Sequence, residues 1–216
     1  LLLLPFFSHA QDYQVELIND EEGSKLMLNG EPFIVNGMNW DYLPIGYNYN
    51  YSLWSKSDNF IEAALDDEMS LLKNMGVNAI RVYTGIPKEW ITYIYDNYGI
   101  STMLNHSYGR YGLTIDGAWV PITDYASPKV EEILIGEVSE MAAEYEGTRG
   151  LLCYLLGNEN NYGLFWDGAE TEDIPVEERK STKRAQAMYS LINKGSLAIK
   201  AIDGGRPIAF SNGDLL

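Results

Sequence analysis

Short apolar runs alternate with longer amphipathic stretches along most of this chain. Ile61, Leu65, Met69, Leu72 and Met75 recur at helical spacing behind Asn59 and Glu62, which read as a capping box, and Gly76 reads as the stop. A strand over 77–83 follows. Pro87 opens a second predicted helix through Trp90, Ile91, Ile94 and Tyr98 to Gly99, and 100–104 is the next strand. Ser127-Pro128 starts a third helix, with Val130, Leu134, Val138, Met141 and Tyr145 on one face. Leu151 to Leu156 carries no charge and reads as a strand buried on both faces, as in a parallel sheet. A fourth helix carries Met188, Ile192, Ile199 and Ile202; Gly195 inside it costs about 1 kcal/mol against alanine and weakens its continuity. A last strand covers 207–210. Upstream, 15–18 and 25–28 are short strands, Asn29-Gly30 is a tight turn, and 33–36 is a buried strand.

Unbroken alternation of strand and helix predicts an α/β fold with a parallel sheet and right-handed crossovers. The helix-to-strand turns are tight and several strand-to-helix loops long, which puts elaboration at the C-terminal ends of the strands. A nucleotide-binding sheet is disfavoured, because Gly37-Met38-Asn39-Trp40 is bulky where backbone would approach a pyrophosphate. The expected fold is a (β/α)8 TIM barrel. About its first five β/α units are visible, where a whole barrel takes about 250 residues, so the chain is expected to be cut at both ends. The expected organisation is a signal-peptide remnant over 1–10, a β-hairpin lead-in over 11–32, and a partial barrel over 33–216.

The chain has 216 residues and a formal charge of −16, which argues against nucleic acid as a partner. Leu1 to Leu4, Pro5, Phe6 and Phe7 precede Ser8-His9-Ala10, a small-x-small pattern before Gln11. This resembles the tail of a secretory signal and predicts a secreted or periplasmic protein. The run is far shorter than the roughly 20 apolar residues of a membrane helix. The single cysteine, Cys153, lies inside the apolar strand and reads as an inert core residue.

The outgoing ends of the predicted strands hold Asn39 and Trp40, Arg81 and Tyr83, Asn105 and His106, Asn158 and Glu159, and Ser211 and Asn212. His106 is the one histidine outside the leader, too few for the usual ligand set of a metallohydrolase; no metal or cofactor is expected. No lysine ends a strand to form a Schiff base, and no serine sits in a Gly-x-Ser-x-Gly elbow. A sugar-phosphate enzyme is disfavoured by the lack of a glycine-rich or basic phosphate site. A carboxylate, an arginine, amides and many rings suit carbohydrate, whose C–H faces stack on aromatics while its hydroxyls bond amides. A glycosidase needs a raised-pKa acid and a second carboxylate. Glu159 is the candidate acid, and Asn158 the candidate contact to a sugar 2-hydroxyl. Trp40, Tyr108, Trp119, Tyr162 and Trp166 follow strands and are candidate sugar-facing rings, whereas Tyr93, Tyr95 and Tyr98 read as helix packing. Arg81 equally fits a structural ion pair, and His106 a hydrogen-bonded loop residue. Asn50-Tyr51-Ser52 and Asn105-His106-Ser107 match glycosylation acceptors and are read as unmodified.

Asn158-Glu159 at the end of the fourth barrel strand, Arg81 near the end of the second, and Asn29 to Gly37 leading into the first resemble clan A glycoside hydrolases over roughly residues 25–214. The nearest group is the family 2-like bacterial catalytic barrel, with some similarity to fungal β-1,3-glucanosyltransferases. The resemblance implies a retaining mechanism acting on a β-linked oligo- or polysaccharide, by hydrolysis or transglycosylation. Glu159 would be its general acid/base, Asn158 a substrate contact and Arg81 a support for the nucleophile. That nucleophile is a second Glu ending a seventh strand, which the chain does not reach, so the 216 residues alone are expected to be inactive. The alternative is a non-catalytic carbohydrate-binding barrel.

Overall fold

The computed structural model describes residues 13–48, 50–165 and 180–213. Strands β1 (Val15–Asp20) and β2 (Gly23–Leu28) pair antiparallel, and β3 (Glu31–Pro32) joins β2 across the Asn29-Gly30 turn. The predicted strand over 33–36 is irregular instead. Side-chain amides have taken over its ladder: Asn78 accepts from the Asn36 N–H (2.8 Å) and donates to Ile34 O (2.8 Å), while Asn36 Nδ2 donates to Gly76 O (2.6 Å). Ile34 is left exposed. The regular sheet starts only with β4 (Gly37–Asn39).

Helix α1 (Asp58–Asn74) begins one residue before the predicted Asn59 cap, with Ser57 extended at the N-cap and no side-chain capping bond. Then come β5 (Ala79–Tyr83), α2 (Lys88–Tyr98), β6 (Ser101–His106), the short hairpin β7 (Leu113–Ile115) and β8 (Ala118–Val120), α3 (Pro128–Tyr145), β9 (Leu151–Leu156), α4 (Lys180–Ile202) and β10 (Ile208–Phe210). The hairpin turns on Asp116-Gly117, a pair suited to positive φ, and the hydrophobic pattern had not revealed it. Helix α4 runs unbroken through Gly195.

Five strands make one parallel sheet in the order β4-β5-β6-β9-β10, so successive β/α units sit side by side. The side chains of a strand alternate between faces. Ile80, Val82, Leu104, Tyr154 and Leu156 point to the face covered by the helices, joining Leu65, Ile91, Leu134 and Met188 in the main core. Ala79, Arg81 and Tyr83 of β5, with Met103 and Asn105 of β6, point to the other face. At the N-terminal ends of the strands that face is filled: Val15 packs on Ala79 and Leu152, with Leu26, Leu28, Phe33 and Met103 around them. The β1–β3 sheet therefore plugs one end of the parallel strands, and the polar residues collect at the other.

Between β6 and β9 the register slips by one residue. Thr102 pairs with Leu151 but Met103 with Cys153, so Leu152 is extra and bulges. Among the described residues, no helix is long and apolar enough to cross a membrane.

Candidate active site

Register sets the site. Asn39 pairs with Arg81, and Tyr83 with Asn105, which pairs in turn with Leu155, so these side chains share the face away from the helices. Arg81 Nε donates to Asn105 Oδ1 (2.7 Å), and Nη2 donates to the same oxygen and to Asn158 Oδ1 (2.9 Å). Asn105 is fully buried and its Nδ2 donates to Gly157 O (3.1 Å). Arg81 thus ties the outgoing ends of three neighbouring strands through amide oxygens. Among the described residues no carboxylate forms an ion pair with it, against the ion-pair reading.

The chain turns sharply after β9. Gly157 takes φ 74°, where a Cβ would lie 2.6 Å from the Phe210 ring, so glycine is required there for conformation and for space. Glu159 also has positive φ, 58°, a state costing a non-glycine residue roughly 1 kcal/mol or more. The neighbours hold it there. The Glu159 N–H donates to Ser211 O (2.9 Å) after β10, its own carbonyl accepts from the Tyr162 N–H (3.1 Å), and Arg110 Nε donates to Asn158 O (2.9 Å).

Asn160 is the clamp beneath this turn. Its Oδ1 accepts from the Asn158 N–H (2.7 Å), and its Nδ2 donates to Tyr108 O (2.9 Å) and the Tyr125 hydroxyl (2.8 Å). Asn158 Nδ2 donates to the Tyr111 hydroxyl (2.8 Å). Beside it, burial and a hydrogen bond to Tyr111 push the Tyr83 phenol up to about 12, with the nearby charge of Glu159 adding to the rise. Glu159, Tyr83 and Tyr111 therefore share one electrostatic neighbourhood at the end of the sheet.

The predicted site residues divide. Arg81, Asn158 and Glu159 come together, and Asn39 lies on the same face one strand over, exposed. Three assignments need correction. Trp40 follows the strand parity to the helix side, where it packs by Trp54 and points Nε1 at Glu68 (3.4 Å). Tyr108 is completely buried, its hydroxyl donating to Leu191 O (2.7 Å) on α4, and cannot face a sugar. His106 also faces the helices; Nδ1 accepts from the Tyr108 N–H (3.1 Å) and Nε2 lies 3.4 Å from Glu137 of α3. Tyr162 is half-buried against Gly213, and Trp166 lies outside the described residues. Unpredicted members are Arg110, Tyr111, Tyr125 and Asn160. The Asn158-to-Asn161 polar run was a signal for Asn160; the other three sit in two loops without periodicity, Arg110 and Tyr111 before β7 and Tyr125 after β8. A cavity of about 500 Å³ opens alongside, walled by Arg110, Tyr125, Asn160, Leu164 and Arg184. Among the described residues no three His, Cys, Asp or Glu side chains group to hold a metal.

No family model matches the sequence, and no curated protein matches it. Solved structures do match its fold. A β-glucuronidase of Bacteroides uniformis superposes with a TM-score of 0.60 at 18% identity, over 93% of this chain and 20% of that one. A β-glucuronidase of Parabacteroides merdae gives 0.58 at 18% identity, over 91% and 20%. An exo-β-D-glucosaminidase gives 0.50 at 19% identity, over 90% and 19%. The chain shares its parallel β/α fold with these glycosidases and spans about a fifth of their length.

Proposed function

We propose that this chain is the acid/base-bearing part of a (β/α)8 barrel of a retaining β-glycoside hydrolase or transglycosylase, with Glu159 as the proton donor. The observation that carries the reading is the bond from Arg81 to Asn158. It fixes the residue next to Glu159 onto the polar end of the sheet, the end where barrel enzymes keep their chemistry. The likeness in fold to glycosidases supports it.

In this reading Asn158 holds a sugar hydroxyl, and half-buried Glu159 protonates the leaving oxygen, then deprotonates the attacking water. The mechanism needs a second carboxyl about 5–5.5 Å away. Among the described residues none stands on the inner face of the five strands, and we assign it to a strand outside these 216 residues. An isolated 216-residue chain is then inactive. The substrate is a β-linked saccharide, and the Leu1-to-Ala10 pattern, which lies outside the described residues, supports export beyond the cytoplasm as part of this reading.

Glu159→Gln in the full-length protein tests the assignment. Activity on alkyl or saccharide leaving groups should fall by about a thousandfold or more, while the first step on 4-nitrophenyl glycosides, which needs little protonation, should fall far less. Equal losses on both would remove Glu159 from the acid role. Saccharide binding without any turnover by the full-length protein would instead favour a non-catalytic carbohydrate-binding barrel.

A further inference from the structure

Asn158 leaves little freedom at this mouth. Its Oδ1 accepts from Arg81, which can only donate, so its amide cannot be flipped. Nδ2 must therefore face Tyr111, and in that bond the phenol oxygen must be the acceptor. With its oxygen accepting from Asn158, Tyr111 is left with its own O–H to offer. Arg110 lies under its ring at 5.5 Å from the centroid, and the side chain is 53% exposed at the open end of the sheet.

We propose that Tyr111 is a substrate-binding residue that donates its hydroxyl hydrogen to an acceptor oxygen of the sugar held beside Glu159, at the end of the ordered relay Arg81 to Asn158 to Tyr111. The inference rests on the glycosidase reading of the site. It specifies the chemistry selected: an oxygen with a lone pair, a sugar hydroxyl or a uronic carboxylate, next to the position that Asn158 reads.

The test uses the full-length protein and a panel of 4-nitrophenyl β-glycosides that includes the glucoside and the glucuronide, with the monodeoxy forms of whichever is cleaved fastest. Tyr111→Phe keeps the ring over Arg110 and deletes only the donor. It should lower kcat/KM on the preferred glycoside by about tenfold, mostly through KM. On one deoxy form the variant and wild type should agree within about twofold, because the accepting oxygen is already gone; a purely structural role would penalise every substrate alike. A preference for the glucuronide that collapses to the level of the glucoside in Tyr111→Phe identifies the acceptor as the carboxylate, and an unchanged preference identifies a hydroxyl. Wild-type turnover with an unaffected Tyr111→Phe, or a uniform loss across all deoxy forms, overturns the role of Tyr111 alone. A wild type that cleaves nothing while Glu159→Gln binds saccharide no differently overturns the glycosidase reading, and the Tyr111 role with it.

Discussion

Tyr108 and Gly195 occupy one another's space. An ideal Cβ at 195 would lie 2.5 Å from the Tyr108 hydroxyl, which bonds Leu191 O one turn earlier on α4. The glycine that weakens the helix in isolation is the notch that receives the tyrosine. Gly195→Ala should therefore destabilise the protein by about 1–3 kcal/mol, although propensity alone favours alanine by about 1 kcal/mol. Tyr108→Phe in the same background should recover part of that loss, because the closest atom is then gone. Urea denaturation of the two single variants and the double variant measures the coupling; additive effects would show that the contact is not the cause.

Arg81 bridges two amides with a planar fork, which an ammonium cannot copy. Arg81→Lys in the full-length protein should reduce kcat/KM by about ten- to a hundredfold, by freeing Asn158 to rotate. Steady-state kinetics beside a thermal melt checks this: the activity loss should exceed anything the shift in melting temperature explains.

Asn160 is 2% exposed and satisfies groups on two loops. Asn160→Ala leaves the Asn158 N–H and the Tyr125 hydroxyl without that partner and should cost about 3 kcal/mol. Asn160→Asp keeps the acceptor but turns a charged oxygen on the Tyr108 carbonyl in a buried site, so its cost in denaturant titration at neutral pH should be at least that of alanine.

Burial pushes the Cys153 thiol up to about 12 from an ordinary value of 9. The folded state therefore holds a proton that the unfolded state releases between those pH values. The thiol's contribution to stability is complete below pH 9 and declines as pH rises toward 12. Iodoacetamide at pH 8 should leave Cys153 unlabelled in the native protein and label it after unfolding in urea, as read by peptide mass mapping. Rapid native labelling would contradict this burial.

The parallel arrangement of β5, β6, β9 and β10 was legible because each helix had its own apolar stripe and each strand a short, mostly apolar run, whereas β4 lies just beyond the strand expected over 33–36. Which face a strand-end residue occupies was not. Trp40 and His106 sit one position from inward-facing neighbours, Asn39 and Asn105, and a shift of one residue exchanges sheet interior for helix layer. Tyr108 lies past the last β6 residue, where parity no longer applies. The hairpin at Asp116-Gly117 has strands of three residues, too short for a periodic pattern, and the hydrogen bonds that make Asn160 and Tyr111 matter are contacts between distant loops. Glu159 and Arg81 were legible because their chemistry, not their periodicity, set them apart.

The bulge at Leu152 works as a buffer between the plug and the mouth. It takes up one residue near the plugged end of β9, so Leu151 stays opposite Thr102 and Cys153 opposite Met103, and the register that carries Asn158 to Arg81 runs on undisturbed. Deleting Leu152 would join Leu151 and Cys153 into a regular ladder and leave Asn158 beside Arg81, while taking away the side chain on which Val15 packs. A length change there would loosen the plug and spare the mouth, whereas one between Cys153 and Leu156 would shift the parity that brings Asn158 to Arg81.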